Sequence, residues 1–100
     1  MSITIREDLA SVSLVLKETF QTLPFKRDYD KAFGRIGNIL LKYGIQENPR
    51  NLRLRFILCM QEFFDSVPND KWKLRDPDFL KQADDTAIIK FMEWIIEQIT

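Results

Sequence analysis

The chain contains no histidine, so it lacks the side chain that most often acts as a general base near neutral pH and most often ligates zinc. Imidazole-based hydrolytic triads and most transition-metal sites go with it. Cysteine occurs once, at Cys59. One thiol makes no internal disulfide, and with no histidine to activate it, Cys59 reads as a small hydrophobe inside an apolar run. Three glycines and four prolines in 100 residues leave no flexible linker or low-complexity tract. Net charge is absent too, since 15 basic residues balance 15 acidic ones, and bulk electrostatics favour neither polyanions nor cationic partners. No run reaches the roughly 18 apolar residues of a membrane span. The stretch Met1–Asp8 carries acid and lacks the apolar segment of a secretory signal. These absences predict one domain over residues 1–100, unprocessed, cytoplasmic and non-enzymatic, with no cofactor and no metal.

What the chain does have is helical periodicity, in a composition that is 45% apolar and 30% charged and therefore able to form a core. Ile5, Leu9, Val12, Leu16, Phe20 and Leu23 recur every three or four positions, which predicts an amphipathic helix over about Ile5–Thr22 with Leu14 on its far side. Thr4 and Glu7 have capping-box spacing at its start, and Pro24 ends it. A second helix, about Asp28–Tyr43, carries Tyr29, Phe33, Ile36, Leu40 and Tyr43, opens on an Asp28 cap and closes at Gly44, with Ile45 packing back. Asn48-Pro49 is a cap followed by proline at the first helical position, and the stripe Leu52, Phe56, Cys59, Met60, Phe63, Val67 runs on to about Ser66, flanked by Ile57 and Phe64. The alternation Leu52–Phe56 also fits a strand, but a lone strand of that length has no partner elsewhere in the chain. Asp76-Pro77 starts a short helix to Gln82, after which Asp84 and Asp85 are expected at the N-terminus of a separate final helix. The fold class is thus all-α: a four-helix bundle, up-down or orthogonal, with a short extra helical turn before the last helix.

Little in this pattern carries chemistry. The acidic pairs Asp28/Asp30, Asp76/Asp78 and Asp84/Asp85 lack calcium-loop spacing and fall at expected helix starts, where capping accounts for them. Gly34 and Gly37 sit mid-helix rather than in a strand–turn–helix phosphate loop. Each costs about 1 kcal/mol relative to alanine, which implies close approach of a second element beside Leu41, from this chain or from a partner. Lys26 and Arg27 read as a solvated approach to the second helix.

The final segment, Ala87–Thr100, points outward. On a helix Thr86, just before the segment, shares one strip with Lys90, Glu93, Glu97 and Thr100, and the apolar arc is about twice the width a surface helix normally buries. The expectation is a protein–protein interaction module, a homodimer or part of a larger assembly, docking through Ile88, Phe91, Trp94 and Ile95. Leu54 and Leu58, one turn apart on a face otherwise made of Arg50, Gln61, Glu62 and Asp65, extend the candidate surface. The alternative is a small regulatory subunit that binds nucleic acid through Arg50, Arg53 and Arg55 together with Lys71, Trp72, Lys73 and Arg75, where cations flank an aromatic able to stack on a base. Asp65, Asp70, Asp76 and Asp78 surround that basic cluster, and Trp72 and Leu74 also fit as anchors of the loop on the bundle.

Overall fold

The computed structural model describes residues 3–100. Four α-helices account for most of it: α1 (Ile3–Gln21), α2 (Tyr29–Leu41), α3 (Pro49–Ser66) and α4 (Pro77–Ile99). Short 3-10 turns at Pro24–Lys26 and Asn69–Lys71 lie in the first and third connections. No strand occurs among the described residues, so Leu52–Phe56 is helical.

The expected caps set most of the boundaries. Asp28 Oδ1 accepts the Lys31 amide at 2.9 Å, and Asn48 Oδ1 accepts that of Asn51 at 2.8 Å. The Asp76 carboxylate accepts the Asp78 amide at 2.9 Å, ahead of a helix that begins at Pro77. Each bond satisfies one of the orphan donors at a helix start. Gly44 takes a left-handed φ of +76°, and the Ile45 amide returns to the Leu40 carbonyl at 3.2 Å while its side chain packs on the core. α1 departs from expectation at its start. Thr4 already lies within the helix rather than capping it, and the preceding cap position falls outside the described residues.

The segment after Pro77 is the larger departure. Pro77–Gln82 and the final apolar stretch form one 23-residue helix, because nothing between Gln82 and Ala87 breaks the backbone and Ala83 and Ala87 are both buried on its inner side. Asp84 and Asp85 are therefore mid-helix, not at a helix start. The short helical element ahead of α4 is the Asn69–Lys71 turn.

α1 packs on α2, α2 on α3, α3 on α4, and α4 back on α1, while the diagonal pairs touch far less. Helices consecutive in sequence are thus neighbours in a closed four-helix ring with extents of 43 × 27 × 23 Å. At its centre each helix contributes one phenylalanine. Phe20 of α1 stacks on Phe56 of α3 at 4.5 Å, and Phe33 of α2 meets Phe56 and Phe91 of α4 at 6.0 Å. Phe56 and Phe91 close the cluster at 5.8 Å. Val12, Leu16, Ile36, Leu40, Leu52, Ile88 and Ile95 fill the space around it. Edge-to-face and offset rings of this kind add about 0.5–1.5 kcal/mol per pair beyond their buried area.

Two polar clasps join the helices at the ends of the bundle. Near one end, Asp8 of α1 accepts hydrogen bonds from the Tyr43 hydroxyl and, at 3.1 Å, from Lys42. Those bonds hold the Asp8 carboxyl below its ordinary range and push the Tyr43 phenol up to about 12. Near the other, Arg27 ties α1 to α4, as described next.

Candidate functional site

Arg27 is not a solvated side chain. Its guanidinium lies over the Phe20 ring at 4.6 Å and donates to the Thr22 carbonyl at 3.0 Å and the Phe20 carbonyl at 3.1 Å. These are carbonyls at the end of α1 that have no continuing turn to donate amide hydrogens to them. A further donation reaches Asp84 at 3.1 Å. Burial raises the Asp84 carboxyl above its ordinary value, and Arg27 opposes the shift without cancelling it. This pair lines a cleft of about 540 Å³ between the end of α1, the Pro24 turn and the start of α4, which Lys17, Leu23, Leu80 and Lys81 also line. The pair's first task is structural: it terminates α1 and fixes α4 beside it. The sequence signal that foretells it is the run of orphan carbonyls before Pro24, which need a nearby donor.

Cys59 is buried on α3, and desolvation is the main reason its thiol titrates above the usual value, so it stays protonated and unreactive at neutral pH. Among the described residues no group of three or more His, Cys, Asp or Glu side chains is placed to hold a metal. No helix among them is long and apolar enough to cross a membrane.

The expected docking residues on α4 separate into two sets. Ile88, Phe91 and Ile95 are buried in the bundle, which corrects their assignment as partner contacts. α4 lies between α3 and α1, and Phe91 reaches the central cluster, so the wide apolar arc of this helix is largely consumed within the chain. Trp94 is half-buried, 5.8 Å from Phe91 and beneath the guanidinium of Arg55 at 4.9 Å. On α4 Ile89 and Ile96 stay exposed, seven residues apart, whereas α3 carries three exposed aliphatics within five residues. Leu54, Ile57 and Leu58 are 51%, 47% and 51% exposed, and Leu54, Leu58, Arg55 and Trp94 border a shallow groove of about 230 Å³. Spacings of three and four residues put the three aliphatics on one helix face.

The basic residues are dispersed in role. Arg53 lies over the Tyr29 ring at 4.5 Å, and Arg55 covers Trp94. The Trp72 indole donates to the carbonyls of Val67 at 2.8 Å and Phe64 at 3.2 Å, with its ring against Phe64. It anchors the connection on α3 as expected, whereas Leu74, the other expected anchor, is exposed. Arg50, Lys71, Lys73 and Arg75 remain exposed. The two helical glycines also differ. A methyl group on Gly37 would touch the Glu47 carbonyl oxygen at 3.4 Å and Leu52 at 3.5 Å, whereas one on Gly34 would meet nothing within 4 Å. The close approach inferred at Gly37 is therefore met by this chain's own α2–α3 connection.

Compared with protein-family models, curated proteins and solved structures, the chain matches none.

Proposed function

We propose that this chain is a non-enzymatic protein–protein interaction module whose docking face is the outer side of α3, bordered by Trp94, rather than the buried side of α4. The observation that carries the reading is the run Leu54, Ile57, Leu58. Three large aliphatics stand on one helical face with about half of each side chain in water, beside a groove whose far wall is an aromatic held by a cation. Single exposed leucines are ordinary on soluble proteins; a contiguous face with an aromatic rim is the composition of an interface centre. A helical partner would read it as an i, i+3, i+4 set of anchors. We infer a cytoplasmic setting as well, in keeping with a single buried thiol and no disulfide.

The test is site-specific photocrosslinking in cells of origin. A benzophenone side chain placed at Leu58 is expected to form a discrete adduct, while one at Leu14, equally exposed on α1, forms none. No adduct at Leu58, or the same adducts from both positions, would overturn the reading.

A further inference from the structure

We propose that the partner on this face is a second copy of the chain, with the two α3 helices antiparallel about a two-fold axis that passes between Ile57 and Leu58. The inference rests on the docking face named above and specifies its occupant. Arg50, Leu54, Ile57, Leu58, Gln61 and Asp65 fall within about 100° of helical arc, and all six are exposed. The stripe therefore has a cation at one end, an acid at the other and its largest aliphatics in the middle. Turned end for end, it complements itself: Arg50 faces Asp65 of the copy, Leu54 faces Gln61, and Ile57 faces Leu58. Such reciprocity is what an isologous interface requires.

The charges of α3 separate in the same way. Arg53 and Arg55 lie over Tyr29 and Trp94, and Glu62 pairs with Lys90 at 3.2 Å. Arg50 and Asp65 have no ion-pair or aromatic partner among the described residues. Both also oppose the helix they stand on, a cation in the first turn and an acid in the last, where the macrodipole favours the reverse. Consistently, α3 has no acid in its first turn and no base in its last. In the antiparallel dimer, Asp65 of the copy comes to the positive end of α3 and Arg50 of the copy to the negative end. One association supplies both missing partners, twice over by symmetry.

Sedimentation equilibrium of the purified chain across micromolar to millimolar concentrations tests this. A dimer is expected, and the Arg50→Asp or Asp65→Arg variant alone should weaken it by about tenfold or more, since each reversal places two like-charge contacts across the axis. The double variant, with the charges exchanged, should recover the parent affinity within about threefold. Circular dichroism of each variant establishes that the fold is kept, and Leu58→Asp, at an exposed position, should yield a folded monomer. A chain that is monomeric throughout, or a double variant no tighter than the singles, overturns the antiparallel homodimer. If the chain is monomeric and the photoadduct at Leu58 has the mass of a different protein, the docking face stands and the second copy does not. Absence of any adduct removes the face itself.

Discussion

Replacing Phe91 with alanine separates a core residue from an interface residue most cleanly. Phe91 is fully buried and meets Phe33, Phe56 and Trp94 at 6.0, 5.8 and 5.8 Å. Truncation of a buried phenylalanine costs about 3–5 kcal/mol from lost transfer energy plus the cavity left behind. Here two of the surrounding rings come from other helices, Phe33 from α2 and Phe56 from α3, so the site cannot collapse without moving helix axes, and the aromatic contacts add their own share. The loss should lie near the top of that range, about 4–5 kcal/mol, against a total stability of about 5–15 kcal/mol for a domain. Urea unfolding followed by far-ultraviolet circular dichroism measures it directly. The midpoint should fall sharply with the slope unchanged, and Tm should drop by roughly 20 °C. Two protein concentrations separate folding from association. Leu58→Ala, at a half-exposed site, should stay within about 0.5 kcal/mol of the parent. A Phe91→Ala protein within about 1 kcal/mol of the parent, with native circular dichroism, would refute the placement of Phe91 at the centre of the bundle.

Gly34→Ala should raise stability by about 0.5–1 kcal/mol, because the added methyl meets nothing and a helix interior favours alanine. Gly44→Ala should lower it by about 1–2 kcal/mol through the left-handed φ of +76°; equal effects at the two sites in chemical denaturation would contradict this. Removing the guanidinium by Arg27→Ala leaves Asp84 buried without its cation, and the raised Asp84 carboxyl should rise further. A carboxyl with a raised folded-state value favours folding below its unfolded value and loses that contribution as pH rises through the folded value. The Tm deficit of Arg27→Ala relative to the parent should therefore be larger at pH 7 than at pH 3, and a pH-independent deficit would exclude the pairing. Asp8→Asn should bring the Tyr43 phenol down from about 12 towards its ordinary 10.0, read by ultraviolet titration. The lowered Asp8 carboxyl adds stability above its unfolded value and loses it as pH falls through the folded one, so the parent's advantage over Asp8→Asn should shrink in acid.

Much of the architecture was legible because its determinants are local. Asp28, Asn48-Pro49, Asp76-Pro77 and Gly44 act on backbone groups within a few residues, and every one of them marks a helix end in the structure. Asp84 and Asp85 are not helix caps, although two acids before an apolar run have the composition of a helix start; only continuity of the backbone from Pro77 distinguishes them from one. The candidate surface was legible in part. Leu54 and Leu58 stood out because charged neighbours share their face. Ile57 reads from sequence as a flank of the buried stripe, since helical angle alone does not say where along the arc the neighbouring helix ends.

By itself the sequence determined the helical class, the caps at Asp28, Asn48, Asp76 and Gly44, and the absence of any imidazole and of any second thiol. These follow from side-chain type and short-range hydrogen bonding. The tertiary structure decided which apolar arc is interior. α4 and α3 both carry more hydrophobic residues than one stripe needs, and periodicity ranks them alike. Packing resolves the tie: α4 packs between α3 and α1 with Phe91 at the centre and leaves Ile89 and Ile96 outside, whereas on the outer side of α3 Leu54, Ile57 and Leu58 remain together in water. Burial is a property of what lies opposite a side chain, and for residues far apart in sequence only the assembled bundle fixes it.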